Sequence, residues 1–224
     1  AYSKNYAQND KQRAVGFENQ ARKCLIEWQQ KIVNGAFMLY TLDNKSGIRL
    51  ANFQALQEEL QKINRQKYPY SLEQYNLTST MFTKGPLAQG AECGINQELK
   101  QSFKSSNVNT SLSTALAGAW QVEKYWEDST KQSLPIVHIK NEVERLVQDG
   151  FNKGSGRVSV LSIFEALEQP KYGFMPNNVA AFILGFVLKE YATSDYYWSN
   201  GSNSDVMSPD KMKAMIANAI NQKV

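Results

Sequence analysis

One histidine, two cysteines and six prolines are all that this 224-residue sequence holds of three residue types that carry chemistry or rigidity. A tetrahedral zinc site needs four Cys or His ligands and a disulfide framework needs several pairs, so neither can be built. A nucleophilic dyad would have to use His138 with Cys24 or Cys93 brought in from distant sequence. Charge of one sign is also scarce, because 25 Lys and Arg stand against 21 Asp and Glu, a net charge of +4 that neither requires nor excludes a polyanionic partner. The longest nearly unbroken apolar run, Val179 to Leu188, is about half of a bilayer span, and Ala1 to Asn5 lacks the charged-then-apolar order of a signal segment. The expectation is a cytoplasmic chain with no membrane partner. Because it opens without Met, it reads as part of a longer polypeptide.

Catalytic motifs are equally sparse. A phosphate-cradling loop needs glycines followed by Lys-Ser or Lys-Thr, whereas Asn152-Lys153-Gly154-Ser155-Gly156-Arg157 places its Lys ahead of the glycines and reads as a connector. Neither a Gly-x-Ser-x-Gly elbow nor a Tyr-x-x-x-Lys pair is present. Glu123 and Glu127 fall on one helical face beside Asp128, which a solvated acidic surface explains. The sequence therefore predicts no catalytic residue, no metal ligand and no cofactor.

What is present is periodicity. Hydrophobic residues make up 42% of the chain, enough for one large domain or two small ones to fold without staples. Ala14, Phe17, Ala21, Cys24, Trp28 and Ile32 are spaced three and four apart, which predicts a helix over about 5–34 and a buried Cys24 on its packing stripe. The run 36–41, the turn residues Asp43 to Gly47 and the segment Ile48 to Leu50 predict a small hairpin, and Phe53, Leu56, Leu60 and Ile63 predict a helix ending before Tyr68-Pro69. Gly85-Pro86, Gly90 and Gly94 mark 71–96 as an irregular connection, and Leu112 to Trp126 is helical again. The polar stretch before Pro135 marks a boundary between a helical region, 1–134, and a second domain, 135–224.

After Pro135 the predicted order is a helix to Gly150, a strand pair at Arg157-Val158, and a helix capped by Ser159. A corner of Pro170 to Pro176 follows, in which Tyr172, Phe174 and Met175 fold back as an apolar plug around Gly173, and then a helix from Val179 to Tyr191. Two short strands around the Asn200-Gly201 turn signal come next, and Ser208-Pro209-Asp210 opens a last helix. The class is α+β, mainly α-helical, with a C-terminal winged helix packed against the N-terminal helical region.

Val158-Ser159-Val160, the PKYGF cluster with Pro176-Asn177, AFILGF and the YYWSNG wing resemble the winged-helix modules that accompany P-loop ATPases of bacterial phage-defence systems of the bacteriophage-exclusion type. The resemblance covers about 135–224. It implies a non-catalytic part of a larger ATPase-type protein, an interaction or scaffold module whose partners are other domains of the parent polypeptide or another protein. One departure stands out: Val179 to Leu188 is apolar nearly all round and has no polar face for a major groove, so only Asn177, Asn178 and Lys189 at its ends could reach nucleic acid. Charge runs the same way, at +5 for 1–70, −1 for 71–154 and 0 for 155–224. The alternative function is sequence-tolerant DNA binding through the basic first helix, with Lys4, Lys11, Arg13, Arg22, Lys23 and Lys31, and the wing, with Tyr197, Trp198 and Asn200. Alternation along the wing strand puts Tyr197 opposite Tyr196 and Trp198, leaving one side for the core and one for a partner. Lys171, in the corner, completes the set of contact candidates.

Overall fold

The computed structural model describes residues 10–71, 87–96, 116, 119, 124–153 and 156–223. Seven α-helices and two antiparallel strand pairs make it mainly helical among those residues. It divides into two compact units, Ala1–Asn64 and Arg65–Val224. That division falls near the end of the second long helix, well ahead of Pro135.

In the first unit, α1 (Lys11–Val33) starts at Asp10, whose carboxylate accepts the Arg13 amide at 3.1 Å. The hairpin follows as expected, with β1 (Phe37–Leu39) and β2 (Ile48–Leu50) in the register Phe37 opposite Leu50 and Leu39 opposite Ile48. α2 (Phe53–Lys67) is capped by Asn52, which accepts the Ala55 amide at 2.9 Å, and the Phe53 ring tilts against Phe37 at 6.1 Å. The α1 stripe does not behave as read: of its six residues only Ala14 is buried, and Cys24 is exposed. Three-and-four spacing shows that a helix has an apolar face, and is silent on whether anything covers it.

The second unit is organised by a helix pair that the glycines at 90 and 94 conceal in the sequence. They do not break the chain. They lie one turn apart on α3 (Leu87–Asn96) and face α6 (Asn178–Leu188), on which Ala181 and Gly185 have the same spacing. A Cβ on Gly90 would sit 2.9 Å from the Asn178 carbonyl oxygen, one on Gly94 would overlap the Phe182 carbonyl, and one on Gly185 would overlap the Ala91 carbonyl. Small residues on both sides thus let the two backbones touch, closer than side chains permit in ordinary helix packing. Every residue from Val179 to Leu188 is buried, as its apolar composition requires.

The other elements wrap this pair. α4 (Pro135–Lys153) continues through Gly150, which is there because Val158 packs on it: a Cβ would stand 2.5 Å from the Val158 side chain. Arg157 and Val158 form no strand, since Arg157 is exposed and Val158 packs its side chain on Gly150 of α4, a helix that offers no ladder to pair with. α5 (Val160–Glu168) is capped by Ser159 as expected, with the hydroxyl accepting the Ser162 amide at 3.4 Å. In the Pro170 to Pro176 corner, Tyr172 and Phe174 are buried and Phe174 meets Phe164 edge-on at 6.5 Å. Met175 departs from the expected plug, being 67% exposed. With Phe174 already filling the space against Phe164, the next side chain points outward. Gly173 takes φ of 56° with its Cα against the Tyr68 ring, and the strip 67–71 pins the corner as Lys171 N donates to Lys67 O at 3.1 Å and Tyr70 N to Lys171 O at 2.9 Å.

The wing pair forms too, as β3 (Tyr197–Ser199) and β4 (Ser204–Val206), but its loop spans residues 200–203 in place of a two-residue turn. Gly201 supplies the positive φ, 93°, while the Asn200 side chain accepts the amides of Ser202 at 3.1 Å and Asn203 at 2.8 Å. α7 (Pro209–Asn221) closes the unit from the Ser208 cap with proline at its start.

Two substitutions test the packing by urea denaturation. Gly185→Ala forces a methyl into a backbone carbonyl and should cost about 3 kcal/mol or more, the upper end of overpacking. Phe174→Ala should cost about 3 to 5 kcal/mol as a core aromatic truncation. By contrast, Gly16→Ala, with open space around it on α1, should gain up to about 1 kcal/mol from helix propensity.

Candidate functional site

On a helix of 3.6 residues per turn, positions 11 and 18 residues apart align. Lys11 and Arg22 therefore form one line along α1, Arg13 and Lys31 another, and Lys23 stands on the far side from the apolar stripe. These cations do not share a face, contrary to the single basic surface expected of them, because they follow no helical repeat. Lys4 lies outside the described residues. What the two lines do is border the apolar stripe, on which Leu25 and Trp28 are 53% and 61% exposed. Arg13 pairs with Asp10 at 3.4 Å, whereas Lys11, Arg22, Lys23 and Lys31 make no ion pair among the described residues. The arrangement offers a long apolar strip edged by positive charge, and the exposed Cys24 thiol on it has no histidine on the same helix to act as its base.

The wing behaves differently. Tyr196 and Trp198 pack inward and Tyr197 is 72% exposed, the alternation that the strand predicts. Beneath the hairpin lies a cavity of about 820 Å³, walled by Phe151, Val160, Trp198, Met207, Met212 and Met215, with Arg157 and Asp195 among its polar lining. Lys211 ties the hairpin to α7 by donating to the Val206 carbonyl at 2.7 Å and to the Asp205 carboxylate. That ammonium, together with the Val206 amide, holds the Asp205 carboxyl below its ordinary range.

The remaining contact candidates do not converge. Asn177 caps α6 by accepting the Ala180 amide at 3.0 Å, and Asn178 is the first residue of that helix, with its carbonyl against Gly90. Lys189 follows the other end, about 16 Å away at 1.5 Å per residue. It lies over the Phe186 ring at 4.7 Å, where burial lowers its pKa, so it is committed to the core edge. Lys171 is exposed at the corner in a left-handed conformation, φ 91°. Asn200 is occupied by its own loop. Of this set Tyr197 and the side chain of Lys171 are the ones left exposed and unengaged among the described residues.

A polar cluster that the sequence hides is centred on Lys140, whose side chain has no exposed surface. Its ammonium donates to the Val187 carbonyl at 2.7 Å, Glu144 at 2.6 Å and Glu190 at 2.9 Å, and it lies 4.3 Å from the Trp126 ring centre. All three protons are used, so the group is a structural hub with no capacity left for chemistry. Tyr191 donates to the other Glu144 oxygen at 2.6 Å, and burial followed by that carboxylate pushes its phenol well above the ordinary range. The Lys140-Glu144 spacing was its only local sign; its other partners lie 47 and 50 residues away. His138 stacks on Tyr70 at 4.0 Å, a packing role. Among the described residues no three His, Cys, Asp or Glu side chains are grouped to hold a metal, and no helix is long and apolar enough to cross a membrane. No protein-family model, curated protein or solved structure matches this chain.

Burial lowers the His138 pKa below its ordinary 6.5. The unfolded chain then binds this proton first, so the stabilisation from neutral His138 is full above about pH 6.5 and is lost as the pH falls below it. His138→Phe keeps a ring on Tyr70 and removes the titration. Its melting temperature relative to the parent should rise between pH 7.5 and pH 5.5, and an unchanged difference would show that this ring does not titrate on unfolding.

Proposed function

We propose that this chain is a non-catalytic protein-interaction module of a larger, ATPase-type bacterial protein, with phage defence as its setting and residues 135–224 as a winged helix. The element order supports the winged helix: α4, α5, the proline-glycine corner, α6, the β3–β4 hairpin and α7 follow one another as the resemblance implies. In this reading the helix in the recognition position, α6, is core, and the surfaces left for partners lie elsewhere.

The observation that carries the interaction reading is the exposed apolar stripe of α1. Monomeric proteins seldom leave contiguous apolar surface uncovered, and such a strip along a helix is the geometry of helix-mediated docking. The DNA alternative draws on the four cations of α1, Lys11, Arg22, Lys23 and Lys31, that make no ion pair among the described residues. Retention of duplex DNA on filters at 50 and 200 mM salt separates the two. The interaction reading expects no retention at either; retention that falls steeply with salt and vanishes on Lys11→Glu with Arg22→Glu would replace it with DNA binding. Measurable hydrolysis of ATP or GTP by this chain would contradict the non-catalytic reading.

A further inference from the structure

The α1 stripe has a chemical character that narrows its partner. The geometry points to an acidic amphipathic helix as the occupant of the face formed by Ala21, Cys24, Leu25, Trp28 and Ile32, an inference that rests on the interaction reading above. Three features of α1 define that occupant. This face runs from Ala21 to Ile32, about 17 Å at 1.5 Å per residue, which matches three turns of a second helix.

Its spacing is the second feature. Ala14, Phe17, Ala21, Cys24 and Trp28 alternate by three and four, the repeat by which one helix receives the knobs of another. Small Ala21 and Cys24 leave holes beside the large Trp28, which is 61% exposed and is the residue type that anchors interfaces. A lipid surface would make no use of such a register. Interfacial membrane helices also carry a strongly charged polar side, whereas the back of α1 mixes the amides Gln12, Asn19 and Gln30 and the single cation Lys23 with Val15, Ile26 and Val33, each about half exposed.

Charge is the third. Lys11 and Arg22 edge one side of the stripe, and Arg13 and Lys31 edge the other. Lys11, Arg22 and Lys31 have no ion pair among the described residues, and Glu18 is the one acid at the border, since Glu27 lies behind it. Along the Ala21 to Ile32 part of the stripe the flanking charges, Arg22 on one side and Lys31 on the other, are both positive, which selects a partner with acids in the same places and disfavours a second copy of this helix.

The test uses the full chain and two synthetic 21-residue helical peptides that share one Leu/Phe face, one flanked by Glu and the other by Lys, with fluorescence anisotropy as the readout. The Glu-flanked peptide should bind at least about tenfold more tightly than its Lys-flanked twin at 50 mM NaCl, and salt at 500 mM should shrink that preference to about twofold. Trp28→Glu should weaken the Glu-flanked peptide by about tenfold or more, Leu25→Glu should do likewise, and Arg22→Glu with Lys31→Glu should reverse the preference. Circular dichroism confirms that each variant is folded. Equal binding of both peptides that still depends on Trp28 would overturn the acidic partner while leaving the interaction reading standing. Binding of neither peptide, or binding indifferent to Trp28→Glu and Leu25→Glu, would overturn both. Capture by phosphatidylserine vesicles without peptide preference would overturn the inference in favour of a lipid surface.

Discussion

Everything in the larger unit is arranged around the place where α3 and α6 touch backbone to backbone. Gly90 and Gly94 on one helix, with Ala181 and Gly185 on the other, remove the side chains that would otherwise hold the axes apart. An uninterrupted apolar helix can then be covered on that side by backbone alone, while α4, α5 and α7 cover the rest with Ile139, Val143, Ile163, Phe164, Met212 and Ile216. Interiors packed at crystal density have no reserve volume, so this contact fixes where every other layer must stand.

A helix buried on all sides leaves a problem at its end, where the last carbonyls lack intrahelical partners. Lys140 answers it. Its ammonium reaches the Val187 carbonyl from α4, the position where the helix dipole also favours a cation, and Glu144 and Glu190 neutralise the charge. Burying an ammonium is expensive unless its hydrogen bonds are all made, and here they are. The polar hub and the glycine seam are thus two consequences of one fact, that α6 is the core of its unit.

Much of this architecture was legible because it is local. The caps at Ser159 and Ser208, the proline opening α7, the two hairpins and the burial of Val179 to Leu188 all follow from residues within a few positions of each other. What was hidden depends on distant partners. The glycines of α3 look like breakers because their intrinsic preference is against helix by about 1 kcal/mol each, and only contact with α6 makes that worthwhile. Gly150 misleads in the same way, read as a stop when it is a close approach to Val158. Lys140 has the sequence of a solvated lysine, and its burial is set by residues some fifty positions later. On α1 the failure is of another kind: periodicity revealed the apolar face and could not say that it is open. The strip that the sequence assigned to packing is the surface on which the functional reading rests, and the wing residues it nominated are mostly spent on holding the hairpin.

If the α3–α6 contact is what the larger unit depends on, native-state hydrogen exchange should find it directly. Amides in the later turns of α3 and throughout α6, such as Ile95, Leu184 and Phe186, should exchange only on global unfolding and with the same free energy as each other, more slowly than those of α1. Amides of α3 that exchange orders of magnitude faster than those of α6 would contradict this account, because a helix that opens alone cannot be what positions the rest.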